Sequence, residues 1–399
     1  MKVRVRLAVS LALVMSTVGL TLITATPALA ALQPMPDTTW MTNGQVRAVV
    51  VSGNYLYVGG KFSKVRQFPN GVPGGGSFDA TNLARIDLTT GAGDPSWTPA
   101  VTTDLSSPAV YALAAMGDQI WVGGSFTAVN GQPRLNVAAV SATTGAVDLA
   151  VAPLVGTTTA DRVTALAAGP SLVYAGGYFT TVNGLTRTHL AAFHTDGTLD
   201  TTWAPRADKR VFSMKMDCTG STLFVGGQFQ RASNTGGPYV ATDTIARFDL
   251  VNGTLQPWAV PLGTIIADQK AYAMAPTCTR LFVAYGGRNW ASAFALDNGN
   301  TGNEVWRRGT NGNVQAIAFT GGSVVIGGHF TSVTPNTPRA RIAALNPTTG
   351  VVDPTWNPGM DGNWGGPWAM AVEANHVWVG GEFKLVAGIA QFHLVRFTF

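Results

Sequence analysis

Short apolar stretches alternate with polar, glycine-rich turns along this chain, a pattern that predicts β-strands. One phrase recurs: an apolar strand ending in Gly-Gly, a variable residue, then Phe. It occurs as Val58-Gly59-Gly60-Lys61-Phe62, Val122-Gly123-Gly124-Ser125-Phe126, Ala175-Gly176-Gly177-Tyr178-Phe179, Val225-Gly226-Gly227-Gln228-Phe229, Ile326-Gly327-Gly328-His329-Phe330 and Val379-Gly380-Gly381-Glu382-Phe383. A degraded copy reads Tyr285-Gly286-Gly287-Arg288-Asn289-Trp290. The second glycines fall at 60, 124, 177, 227, 287, 328 and 381, spaced by 41 to 64 residues.

Further punctuation recurs around each copy. Upstream lies a strand such as Val110-Tyr111-Ala112-Leu113, and downstream one such as Leu83-Ala84-Arg85-Ile86, closed by a turn at Gly91, Gly253 or Gly350. A fourth segment carries Trp and often Pro, as at Trp97 and Pro99 or Trp203 and Pro205. A four-stranded sheet that is apolar on both faces must stack against neighbours to be stable, and radial stacking buries both faces and protects the edges. The expectation is an all-β, seven-bladed β-propeller of four-stranded blades over residues 31–399. The last blade stops after its third strand, while Asp37-Thr38-Thr39-Trp40 repeats Asp200-Thr201-Thr202-Trp203 near the start. The N-terminal strand is therefore expected to complete the last blade and close the ring.

The phrase "apolar-Gly-Gly-x-Phe, Leu-Ala-x-apolar-Asp, Thr-Gly, Asp-x-Thr-Trp-x-Pro" resembles the delta-60 repeat propellers of secreted bacterial proteins, a family of unknown function. A looser likeness to kelch blades rests on the Gly-Gly at the second strand and the aromatic on the fourth. Blade 5, with its inserted Tyr285, and blade 2, with Val147-Asp148 and no Trp, depart from the pattern. Neither resemblance supplies a catalytic residue.

Residues 1–30 combine Lys2, Arg4 and Arg6, an apolar run from Leu7 to Ala25, and Ala28-Leu29-Ala30, which predicts a signal peptide cleaved after Ala30; the rival reading is an uncleaved anchor. Removing it changes the charge: 23 basic residues remain against 21 acidic ones, a net of +2. That balance is too small and scattered for a nucleic-acid surface, and no further stretch could span a membrane. Export permits a disulfide, and Cys218 and Cys278 fall in matching turns of adjacent blades 4 and 5.

The variable residue of each Gly-Gly-x-Phe should stand at similar height around the ring. It reads Lys61, Ser125, Tyr178, Gln228, Arg288, His329 and Glu382, either a ligand-binding surface or an ordinary solvent-facing position. His329 has no His or Cys at ligand spacing, so no metal or cofactor is expected. Fourth-strand tryptophans, together with Trp121, Trp378 and Trp368, read as core. Trp364 lies in a linker without counterpart and is a further ligand-binding candidate. Arg134, Arg187 and Arg339 recur before the third strand and read as structural, reaching a neighbouring blade. The loops 66–82 and 232–242 break the period and offer a second binding surface.

These residues point to a monomeric module, secreted or at the cell surface, that binds an extracellular protein or carbohydrate partner, with no catalytic constellation. The alternative is a glycan hydrolase or lyase whose funnel uses His329, Glu382, Lys61 and Tyr178.

Overall fold

A computed structural model describes residues 32–37, 39–68, 75–104, 107–258, 268–296, 302–362 and 365–399; the expected signal peptide and Trp364 lie outside them. Among the described residues there is no helix, and so none long and apolar enough to cross a membrane. Among the described residues, seven antiparallel sheets share one pattern, each strand pairing with the next strand of its own sheet. Sheet 1 is Gln45–Ser52, Tyr55–Lys61 and Leu83–Asp87, and sheet 2 is Ala109–Met116, Gln119–Ser125 and Val137–Ser141. Sheet 3 is Val163–Ala168, Val173–Gly177 and Leu190–Phe193; sheet 4 is Val211–Met216, Thr222–Gly227 and Ile245–Asp249. Sheet 5 is Lys270–Pro276, Arg280–Gly286, Trp290–Ala295 and Glu304–Gly309. Sheet 6 is Val314–Phe319, Val324–Gly328 and Ile342–Leu345, and sheet 7 is Pro367–Glu373, His376–Gly381 and Leu394–Thr398.

Among the described residues, only sheet 5 carries a full fourth strand. In sheets 1, 2, 3, 4 and 6 the fourth segment touches the third strand through one isolated bridge, such as Ile86 to Gly93 or Leu345 to Val352. In sheets 1, 3 and 6 the reason is local. Asp200 Oδ1 accepts from the amides of Thr202 and Trp203, and Asp94 and Asp353 do the same for Ser96 and Thr355. These side chains take the amides that would otherwise extend the ladder. The tryptophan that follows is stapled to the next sheet: Trp97 Nε1 donates to Ser141 O at 2.9 Å, and Trp203 Nε1 to Asp249 O at 3.0 Å.

The paired glycines of the six intact Gly-Gly-x-Phe copies are required by close approach rather than by positive φ. A Cβ on Gly123 would stand 2.6 Å from Val163 Cγ1 in the following sheet. A Cβ on Gly124 would strike the carbonyl of Ala109 in its own first strand. The first glycine therefore lets sheets approach, and the second lets the first strand cross. A further recurring position is a residue in the left-handed region just before the third strand: Asn82, Asn136, His189, Thr244, Arg341 and His393. In each, its carbonyl accepts from the second glycine's amide and its own amide donates to the carbonyl of the Phe. The phrase Gly-Gly-x-Phe is thus held as a closed loop.

The core lies between sheets. One apolar cluster joins Tyr174 and Leu190 of sheet 3 to Met214 and Val225 of sheet 4. The first strands lie side by side in sequence order, and that of sheet 7 also packs against that of sheet 1. A Cβ on Gly380 of sheet 7 would collide with Val46 of sheet 1. The N-terminal segment runs along the last strand: Asp37 N donates to Arg396 O at 2.9 Å, and Gln33 N to Thr398 O at 2.8 Å. Met41–Thr42 then pairs with Lys64–Arg66 beside sheet 1. Cys218 and Cys278 are bonded, with their Cα atoms 5.1 Å apart, linking turns of sheets 4 and 5.

Arg134, Arg187 and Arg339 hold their own sheet rather than a neighbour's. Their guanidinium groups donate to Asp148 O, Asp200 O and Asp353 O, the carbonyls that open each fourth segment.

Candidate functional site at the axial channel

Every first strand contains a β-bulge at its start, between Val46 and Ala48, Val110 and Ala112, Val163 and Ala165, Val211 and Ser213, Ala271 and Ala273, Val314 and Ala316, and Pro367 and Ala369. A bulge leaves one residue unpaired and re-aims its side chain. The bulged residues are Arg47, Tyr111, Thr164, Phe212, Tyr272, Gln315 and Trp368, one from each sheet, and together they line a cavity of about 400 Å³ with Arg162 and Tyr178. Below it the channel narrows past small residues such as Ala48, Ala112 and Ala316.

Guanidinium groups and rings alternate around this mouth. Arg47 lies 4.1 Å from the Trp368 ring centroid and 5.3 Å from that of Tyr111. Arg162 lies 5.5 Å from Tyr111 and 4.1 Å from Tyr178, whose ring also meets Arg210 at 4.4 Å. Phe212 continues the series, 6.1 Å from Tyr178 and 5.4 Å from Tyr272. Stacking on rings fixes the guanidinium planes while leaving their edges to donate. Arg47 Nη2 donates to Gln45 Oε1 at 2.6 Å, whereas its Nε is buried without a partner. Burial holds the Arg47 pKa below the ordinary arginine value and raises that of Tyr272, whose phenol stays protonated at neutral pH.

Deeper in, Lys215 occupies a position where the other sheets place Ala or Val. It is reached by solvent yet enclosed by protein, and desolvation lowers its pKa. Among the described residues, no Asp or Glu lines either part of the channel.

The residues singled out in the repeated phrase are placed unequally. Tyr178 joins the mouth. His329 approaches it through Gln315, with Nδ1 3.3 Å from Gln315 Oε1. Burial, then Arg341, lowers its pKa, so the ring is neutral at pH 7. Ser125 Oγ donates to Thr159 O at 2.8 Å, and Gln228 Nε2 meets Asp268 Oδ1 at 3.5 Å. Lys61 is exposed and lines a separate shallow cavity with Asn43 and Ser63. Glu382 is half-buried, its amide donating to Gly366 O.

Arg288 is not equivalent to the others. Sheet 5 pairs Tyr285 with Ala271 and Gly286 with Lys270, so Tyr285 fills the second glycine's slot and Gly286 the variable one. Arg288 therefore falls in the turn before Trp290, because this sheet passes directly into its third strand. Trp368, expected in the core, is a channel residue. The bulged positions as a set escaped the sequence reading. Their signal is the single changing letter inside an otherwise small and apolar phrase, as in Val46-Arg47-Ala48 and Val163-Thr164-Ala165.

A family model described as a β-propeller domain of unknown function (DUF5122) matches residues 173–202. The WD40 β-propeller domain of Doa1 is similar in structure at 13% identity, with a TM-score of 0.54, covering 91% of this chain and 96% of that one. The computationally designed Ika8 protein is similar at 12% identity and a TM-score of 0.50, covering 91% and 98%. No curated protein matches the sequence. The chain is an all-β protein with a β-propeller fold.

Proposed function

We propose that this protein is a secreted or cell-surface binding module, a seven-bladed propeller closed by its N-terminal segment, that takes an extracellular partner at the mouth of its axial channel. The observation that carries the reading is one cavity lined by seven bulged residues, one per sheet, where Arg47 stacks on Trp368 and the neighbouring Arg162 on Tyr178. Strand-borne side chains locked by packing form a preorganised surface, and concave sites with few convergent polar groups are the usual place for a ligand. Closure is supported by the packing of Gly380 on Val46 and by the bonds of Asp37 to Arg396. Binding is favoured over hydrolysis because His329 meets an amide rather than a carboxylate, and the channel lining offers no acid-base pair among the described residues.

The test is a panel of extracellular glycans and surface proteins titrated against the purified chain beside Trp368→Ala and Lys61→Ala variants. The expected result is binding without turnover, lost with Trp368 and kept with the Lys61 change. Product release abolished by His329→Ala would instead make the protein an enzyme.

A further inference from the structure

The chemistry of the channel narrows the class of ligand. Its charged lining residues are Arg47, Arg162 and Lys215, all cationic; no Asp or Glu is among the described lining residues, and Glu382, outside the lining, is the acid that acts on Arg47. Arg47 and Arg162 each lie over a ring, which restrains the guanidinium while leaving N–H edges to meet a carboxylate. Arg47 Nε is a buried donor with no acceptor, and such a group gains most from an anionic partner. The remaining walls are the polar Thr164 and Gln315 and the rings of Tyr111, Phe212 and Tyr272, apolar faces on which a sugar ring can lie. A mouth of about 400 Å³ suits one or two small rings, and the channel narrows below it to a space of about 140 Å³.

Resting on the reading of the channel as a binding site, we infer that it receives a carboxylate-bearing sugar unit of an acidic glycan. The sugar carboxylate meets the edges of Arg47 and Arg162, and its ring lies on Phe212 and Tyr272. No bond is made or broken. Lys215, farther down, adds positive potential that draws the acidic unit inward.

The experiment is calorimetric titration of the full chain with a uronic-acid trimer, the methyl-esterified trimer, and a Glu-rich peptide of equal charge, at low and raised salt. Arg47→Gln, Arg47→Lys and Arg162→Gln variants follow, each first shown to melt like the parent chain. The expected result is that only the free acid binds, that raised salt weakens it, and that Arg47→Gln and Arg162→Gln each cost about tenfold or more in affinity. Arg47→Lys should recover part of the loss, because charge returns without the planar edge. Equal binding of the ester, sensitive to Trp368→Ala, overturns the acidic class but leaves the binding-module reading standing. Tighter binding of the peptide assigns the site to an acidic protein segment and overturns the glycan. Binding of none of the three also overturns the inference, and the wider panel then decides the module reading separately.

Discussion

At the residue scale, the left-handed position before each third strand shows how one backbone demand is met by different side chains. Asn82 fills it twice over: its Oδ1 accepts from the Phe62 amide at 3.0 Å, and its Nδ2 donates to Val101 O at 2.8 Å. Asparagine tolerates positive φ well, so its presence here and at Asn136 is expected chemistry. His189 and His393 hold the same conformation with less reward, since the Nδ1 atom of each is buried and unpartnered. Burial lowers both histidine pKa values below the ordinary 6.5. The folded chain then keeps them neutral while the unfolded chain takes up protons as pH falls below about 6.5. Stability is therefore full above that value and declines as pH drops through the window beneath it. Denaturant melts at pH 7.5 and pH 5 should show the decline, and His189→Asn with His393→Asn should reduce it without loss of folding at pH 7.5. A decline equally steep in the double variant would contradict the assignment.

At the element scale, most of the blade was legible in the sequence because its strongest constraints are steric and repeat. Gly-Gly-x-Phe, the third strand and the turn glycines stand where the sequence places them. The fourth segment was not, since Asp-x-Thr reads as a strand approach by position but spends its amides on the aspartate side chain. Bulges were illegible for another reason: a bulge adds one residue without a marker, and an alternating pattern hides it. Sheet 5 shows the cost of aligning letters alone, for Tyr285 takes a glycine's slot and moves Arg288 out of register. If the first glycine exists to let sheets approach, Gly123→Ala should destabilise the fold by about 1–3 kcal/mol through overpacking against Val163. The same change at Gly117, where a Cβ meets nothing within 4 Å, should cost only the strain of its positive φ, about 1 kcal/mol. Thermal unfolding of the two variants gives the comparison, and a reversed order would contradict the packing argument.

At the scale of the whole molecule, the proposed channel exists only if the seventh sheet meets the first, and the chain's two ends do that work. Asp37 Oδ2 accepts from Arg396 Nε at 2.8 Å and from Thr398 Oγ1 at 2.8 Å. Trp356 Nε1, which in other sheets would staple to the next third strand, donates instead to Gln33 O at 2.9 Å. Trp368 and Arg47, a stacked pair of the mouth, come from sheets 7 and 1 and are adjacent only across this seam. In the proposed ring, the seam both closes the fold and forms part of the proposed site. Its most direct test is a double-mutant cycle on Asp37→Ala and Arg396→Ala, read by denaturant unfolding. Closure by the N-terminal segment predicts a coupling of about 1–3 kcal/mol between residues 359 positions apart in the chain. Strictly additive effects would mean that the segment does not pair with the last strand, and would contradict the ring.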